Sequence, residues 1–551
     1  MKKLLFLSIA LFTLSMAMNA QGPAPQNWFL LTPETSDVNG MSIDIMYKDL
    51  LKGKTSQTVV VAVIDSGIDI EHEDLKDIIW TNPGEIADNG IDDDKNGYVD
   101  DVYGWNFIGG KGGTHISADA LEVTRLYKKY SSKFKGVSSD EGLSKKDKKE
   151  YAQYLVCKDE VMTNRENAKT RLETMNSRKE SVLGMMKAFV NAFGDGEFTM
   201  ENISAFDTGS DSTAMQGKAI MANVVAQTGA ASGQEALDMV SESFKGGVER
   251  YNGQLNYHYN PDFDPRDIVG DNYINPHEKL YGNNSVTGPD AFHGTHVAGI
   301  IAAVRGNDIG MDGVADNVRI MTIRCVPDGD ERDKDVANSI RYAVDNGASI
   351  VNMSFGKSFS WNKQIVDDAV KYAAKHDVLL VHAAGNDSKN NDVTDNFPND
   401  TYEKGFFLCP KSPKNWVEVG ALEPMRNDKS VASFSNYGNE SVDVFAPGNK
   451  IYSTIPGSEY GNAGGTSMAS PMVAGLAAVL RSYFPTLTAR QVKEILANSS
   501  DKRDIKVIKP GSDEEVHFSE LSTSDGMVNG YNAVKLAEKT KGKKKLKKSK
   551  A

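Results

Sequence analysis

Cysteine is scarce: only Cys157, Cys325 and Cys409 occur in 551 residues. An odd, sparse set excludes a disulfide framework, so stability has to come from core size, helped by metal where one is bound. Basic charge is also short, with 62 Lys and Arg against 75 Asp and Glu and a net charge of −13. That balance argues against nucleic acid as the main partner. Beyond the first twenty residues no run is long and apolar enough to span a bilayer, so no transmembrane segment is expected. A glycine-rich phosphate turn is missing where a nucleotide-binding fold would carry one: the first strong strand leads into Asp65-Ser66-Gly67. No organic cofactor is therefore expected.

What is present is ordinary globular material, 40% hydrophobic and 25% charged, long enough for two or three domains. Met1-Lys2-Lys3, an apolar run over 4–14 and small residues up to Ala20 have the layout of a secretory signal peptide, assigned to 1–20. The chain is thus expected to be exported, to a periplasmic or extracellular destination. Residues 21–57 form an N-terminal segment containing Trp28, Phe29, Leu30 and Leu31. At the other end, 539–551 holds eight lysines and no acid. It reads as a basic disordered tail, with attachment to a polyanion as the alternative.

Continuous apolar runs at 58–64, 318–323, 349–353 and 378–382 suit strands buried on both faces, and amphipathic helices at 334–346 and 362–376 fall between them. The alternation predicts an α/β fold with a doubly wound parallel sheet. In such a sheet ligands sit beyond the carboxyl ends of the strands. Polar groups lie there: Asp65 after the first run, Ser354-Phe355-Gly356 after a later one, and Asn386 after another. His293 opens the helix that begins His293-Gly294-Thr295-His296, and Ser467 stands in Gly465-Thr466-Ser467-Met468-Ala469-Ser470-Pro471 before a small apolar run. Taken singly, Ser467 and His293 fit helix caps, and Asp65 and Asn386 fit turn residues, as readily as catalytic groups.

Together, in the order Asp, His, Ser, these motifs resemble those of subtilisin-like serine proteases, the subtilase family. The resemblance covers about 58–107 and 289–538, where 526–534 is similar to the family's closing segment. It implies a serine endopeptidase acting on protein or peptide substrates, with Ser467 as nucleophile, His293 as base, Asp65 orienting the imidazole, and Asn386 donating to the oxyanion. His296, one turn on, is expected to be structural. Substrate backbone is expected along Ser354, Phe355 and Gly356 as an added strand. Leu408 stands where relatives often have glycine, which predicts a shallower primary pocket and a preference for small or medium apolar side chains. Only 37 residues precede the first strand after the predicted leader, fewer than the inhibitor-like propeptide of many family members. The Trp28 segment is expected instead to pack permanently on the catalytic domain.

An acidic stretch places Asp92, Asp94, Asn96, Tyr98, Asp100 and Asp101 around Gly97. Oxygen ligands at alternating positions around a glycine turn suit a hard cation, and structural calcium is expected here; a solvated acidic turn is the alternative. Position twelve of the loop is Tyr103 and not Glu, which excludes a true EF-hand. A second stretch, Asp262, Asp264, Asp267 and Asp271, is read as a solvated turn.

The spacing departs from compact relatives. Asp65 and His293 lie 228 positions apart, so the catalytic domain is expected in two pieces, 58–112 and 288–538, around a large, mainly helical insertion at 113–287. The glycines of 109–113 are read as a flexible hinge. Ser144 caps a helix whose residues Ala168, Leu172, Met175, Val182, Met186, Phe189 and Phe193 form one apolar stripe, broken at Lys179. Its expected partners are 118–130, 214–227 and 234–251. Two readings of the insertion stay open: a structural decoration, or an arm that contacts a partner or gates the cleft. The rival to an enzyme is a catalytically silent binding or chaperone-like protein that keeps the fold and uses this insertion.

Overall fold

The computed structural model describes residues 24–403 and 412–544. The predicted leader and Leu408 lie outside them. Two short helices, α1 (Pro33–Ser36) and α2 (Ile43–Ile45), precede the first strand, β1 (Val59–Asp65), and β2 (Gly104–Asn106) follows. Next come the helices of the insertion: α3 (Glu122–Phe134), α4 (Lys145–Phe193), α5 (Met200–Ala205), α6 (Ser212–Thr228) and α7 (Gly233–Gly253). The chain then alternates through α8 (Phe292–Ala302), β3 (Val318–Arg324), α9 (Asp333–Asp345), β4 (Ile350–Met353), α10 (Lys363–Lys375) and β5 (Leu379–Ala383). It continues with β6 (Trp416–Leu422), β7 (Val444–Pro447), the hairpin β8 (Ile451–Ile455) and β9 (Glu459–Ala463), then α11 (Thr466–Tyr483) and α12 (Ala489–Asn498). The remaining elements are β10 (Asp501–Lys502), β11 (Lys506–Ile508), β12 (Glu515–His517), β13 (Gly526–Met527) and α13 (Gly530–Lys539).

Among the described residues nine strands form one sheet in the order β10-β13-β7-β6-β5-β4-β1-β3-β2. Its pairings are parallel except β10 with β13. The central strand shows why the run at 58–64 is apolar throughout. Val61 and Val63 enter one core with α8 and α11, while Ala62 and Ile64 enter the opposite core with α9 and α10. Helices therefore cover both faces, and the fold is α/β with a doubly wound parallel sheet. β1 sits where the order turns, between β4 and β3, so its carboxyl end, Asp65, opens on the crevice.

The N-terminal segment is part of this core: Trp28, Phe29, Leu30, Met41 and Ile43 are buried against α11 and α13 residues. Trp28 Nε1 donates to Lys450 O at 3.2 Å, and Gly530 N donates to Met41 O at 2.7 Å.

The insertion is built as its stripe requires. Ser144 Oγ accepts from Asp147 N at 3.2 Å, and α4 then runs unbroken for 49 residues. Its first third packs with α3 around Val123, Leu126, Phe134, Tyr154 and Val161. Its last third packs with α6 and α7 around Met186, Phe189, Met221 and Leu237.

The flanks of 113–287 are stitched to the catalytic unit by bridges from Ala118 to Asp328 and from Asn106 to Asn283. Three sequence-based readings need correction. Gly109 and Gly110 are no free hinge: a Cβ on Gly110 would lie 1.9 Å from Ile268 O, and one on Gly109 would lie 2.4 Å from the Asn283 amide. Residues 539–544 are ordered and bonded to the catalytic unit. Lys539 closes α13, Gln491 bonds Lys541 O and Lys543 N at 2.9 and 3.0 Å, and Lys544 N donates to Thr486 O. Asp271 is likewise not solvated. Its side chain is buried between Arg266 and Lys334, at 2.6 Å from each.

Candidate active site

Asp65 ends β1 and is buried. Its Oδ1 accepts from Ser66 N and lies 2.7 Å from Nδ1 of His293. Because a carboxylate only accepts, that contact requires the proton on Nδ1 and leaves Nε2 as the acceptor. Burial alone would lower the His293 pKa. The charge of Asp65 and its hydrogen bond outweigh burial and hold it above the ordinary value of 6.5. The next residue must be glycine, since a Cβ on Gly294 would come within 2.1 Å of Gly67 O. His296 is fully buried, with Nε2 at 3.0 Å from Ile451 O, and burial pushes its pKa down to about 4. It is a structural residue, as its position suggested.

Ser467 lies in the first turn of α11, where N–H groups have no intrahelical acceptor. Pro471, four residues on, lacks the N–H that would otherwise bond Ser467 O. Ser354 Oγ takes that place, donating to Ser467 O at 2.8 Å, while Ser467 Oγ donates to Ser354 O at 3.0 Å. Asn352 Nδ2 in turn donates to Ser354 Oγ at 3.0 Å, and Asn352 Oδ1 accepts from Ser470 Oγ at 2.8 Å. The serine is thus tied to the strand end beside it. Among the described residues no hydrogen bond joins Ser467 to His293.

Asn386 is exposed beyond β5. Its Oδ1 accepts from Thr466 N at 2.8 Å and from Thr466 Oγ1 at 3.0 Å. An N–H must meet an oxygen, so the amide orientation is fixed with Nδ2 turned away from Thr466, and among the described residues Nδ2 has no hydrogen-bond partner. A neutral donor and the N-terminus of α11 then stand side by side, a combination suited to a developing oxyanion.

Ser354, Phe355 and Gly356 continue from β4. No backbone hydrogen bond engages Phe355 or Gly356 among the described residues, whereas Lys357 N and O both pair with Phe397. Two consecutive residues with unused main-chain groups can accept an added strand. Gly356 lies against Asn396, where a Cβ would meet Oδ1 at 2.6 Å. The cavity at this strand end measures about 580 Å³ and is lined by Asp65, His293, Ser354 and Phe355.

The acidic stretch divides. Oxygens of Asp92 and Asp94 lie within 4.8 Å of one another and of Glu85, a residue the sequence pattern did not single out. Asn96 turns its amide nitrogen to Asp94 and Asp101, at 3.0 Å each. Asp100 accepts from Asn89 N and Gly90 N. Asp101 is buried, accepts from Asn82 and from the Tyr342 hydroxyl at 2.5 Å, and is pushed up to about 6 by burial. The Tyr98 side chain packs against Trp105, Phe107 and Tyr342, with its hydroxyl on Lys279 O. Asp100, Asp101 and the Tyr98 side chain have these partners of their own, and the close group of acid oxygens among the described residues is that of Glu85, Asp92 and Asp94.

Comparison with known proteins adds an independent line. The model of the Subtilase family, Peptidase_S8, matches residues 56–519. A thermophilic serine proteinase of Bacillus sp. (strain AK1) is 36% identical over 276 residues, which is 50% of this chain and 58% of that protein. Subtilisin DY of Bacillus licheniformis is 38% identical over 211 residues, covering 38% of this chain and 70% of that one. Thermitase of Thermoactinomyces vulgaris is 33% identical over 243 residues, covering 44% and 74%. The chain thus spans little more than half the length of the first of these relatives.

Proposed function

This chain belongs to the subtilase family, and from that premise we propose that it is an exported serine endopeptidase acting on protein or peptide substrates. The observation that carries the reading is the 2.7 Å contact between Asp65 and His293 Nδ1 at the mouth of the cleft. With Nδ1 holding the proton, Nε2 is free to take one from Ser467 Oγ after that hydroxyl rotates from Ser354 O. The oxygen attacks the scissile carbonyl, and the oxyanion receives hydrogen bonds from Asn386 Nδ2 and the Ser467 N–H. His293 returns the proton to the leaving amine as the C–N bond breaks, and water then cleaves the acyl-enzyme by the same route. Phe355 and Gly356 pair with the substrate backbone.

A fluorophosphonate tests this directly. We expect one adduct on Ser467 and none in Ser467→Ala. That variant should also lose activity by on the order of 10⁶-fold, the magnitude established for subtilisin itself. Failure of Ser467 to label in the folded protein would favour the silent binding protein, a reading supported by the Ser467 hydroxyl's bond to Ser354.

Glu85, Asp92 and Asp94 supply the hard oxygen donors that calcium needs, and we propose that they hold a structural calcium. When bound, the ion would neutralise the clustered acids. Addition of a chelator is then expected to lower Tm, and Asp94→Ala to abolish that response.

A further inference from the structure

The catalytic cleft is not walled by the catalytic unit alone. Alongside Asp65, His293 and Phe355, the cavity of about 580 Å³ is lined by Ser117, Ala118 and Tyr257, which all come from the root of the insertion. Tyr257 is 38% exposed. Its ring packs on Phe263, with centroids 4.9 Å apart, and among the described residues its hydroxyl has no hydrogen-bond partner.

The segment carrying it is held by α3, α4 and Asp328. Arg165 Nη1, from α4, donates to Leu255 O at 2.7 Å and Tyr259 O at 3.3 Å. His258 O accepts from Leu121 N and Thr124 Oγ1. His258 Nε2 lies 3.1 Å from Asp328 Oδ1. A fixed, half-exposed ring with an unused hydroxyl offers a large contact area at little cost in conformational entropy.

The same root also covers one edge of the cleft. Asp328 N donates to Ser117 O, and Asp119 N donates to Asp328 O, each at 2.9 Å. The Asp328 main chain is thus already paired, whereas that of Phe355 and Gly356 is open to a peptide in the cleft. On the insertion side the cavity presents the Tyr257 side chain.

We propose that Tyr257 is a specificity-determining residue, selecting an aromatic side chain at one substrate position near the scissile bond. This rests on the endopeptidase reading above. Stacking on the ring supplies the preference, and the free hydroxyl accepts a polar ring tip.

The test uses the full chain, Tyr257→Ala and Tyr257→Phe. The substrates are peptides with a single scissile bond in which one Phe, or one Ala as reference, is moved along both sides; a small ester reports the triad alone. In Tyr257→Ala, kcat/KM should fall about tenfold for Phe at one position and less than about twofold for Ala there. Ester hydrolysis should be unchanged, and Tyr257→Phe should keep the preference for Phe. Equal changes for both peptides, or no change in either, would overturn the proposal while leaving the protease intact. A wild-type protein that neither cleaves the ester nor labels on Ser467 would overturn the endopeptidase reading, and this proposal with it.

Discussion

Two long helices, α11 and α4, obey opposite rules. In α11, 16 of 18 residues are buried, and its sequence is small and apolar because the helix touches protein on every side. In α4, 7 of 49 residues are buried, along a rod of about 70 Å. A helix of the first kind cannot change without disturbing the core. One of the second kind depends on whatever grips its ends: Val123, Leu126, Tyr154 and their neighbours at one end, Met186, Phe189, Met221 and Leu237 at the other. The catalytic unit is therefore one cooperative body, and the arm is a rod with two separate grips.

Where the two meet, buried ion pairs add to the backbone bridges. Lys357, the residue after Gly356, is buried with Nζ at 2.8 Å from both Glu122 of α3 and Asp333 of α9. Arg125 adds a second bond to Glu122 at 3.0 Å. The largest effect should come from breaking this shared joint. Lys357→Met leaves buried Asp333 without its cation and Glu122 with Arg125 alone, and a loss of about 3–5 kcal/mol is expected in global unfolding. Lys357→Met/Glu122→Gln should recover part of it. If the single variant raised hydrogen exchange only in α3 and α4 and left Tm alone, arm and core would be less coupled than the geometry implies.

A smaller and strictly local loss is expected at the far grip. Met186→Ala should cost about 2–3 kcal/mol, toward the low end for such truncations because a small cluster can partly collapse. The signature is faster hydrogen exchange and proteolysis across α5 to α7, with ester hydrolysis unchanged. Loss of activity in step with that opening would break the comparison.

Acid should loosen the root in the same graded way. Burial pushes the Glu122 carboxyl upward, but the charges of Arg125 and Lys357 prevail and hold it at about 2, against an ordinary 4.5. A depressed carboxylate stabilises the folded root above the unfolded value and stops doing so as pH falls. Protection of α3 amides should therefore decline between about pH 4.5 and 2, and Glu122→Gln should flatten that decline.

The same contrast explains what the sequence made legible. Strands buried on both faces are apolar throughout, so the run at 58–64 appears as Val59–Asp65 and the run at 318–323 as Val318–Arg324. The cap at Ser144 and the stripe through Met186 and Phe189 were readable for the same reason, local chemistry repeated at a helical period. Strand β2 was not, because three residues carry no period. Glu85 and Tyr257 were also hidden: each matters through a neighbour brought near by folding, and neither stands in a pattern. The bond from Ser354 to Ser467 O is an intermediate case. Pro471 announces that Ser467 O will lack its helical donor, but only the fold says which hydroxyl fills the gap.

The smallest effect concerns one proton and tests whether the catalytic unit sets its own electrostatics. Desolvation at His293 favours the neutral ring, while Asp65 favours the charged one and prevails, so protonation should be half complete above pH 6.5. Below that midpoint Nε2 carries a proton and cannot serve as base, which places the acid limb of kcat/KM above 6.5 as well. Removing the carboxylate charge takes away the main influence that raises the pKa while burial remains, so the midpoint in Asp65→Asn should move downward. Titration of the His293 ring by NMR in a Ser467→Ala background reads this without any need for turnover. Met186→Ala, which loosens only the far grip, should leave the midpoint where it was. A shift there would mean that the arm reaches the base through the clamp formed by Arg165, His258 and Asp328, and the division between self-sufficient core and dependent rod would have to be redrawn at the cleft itself.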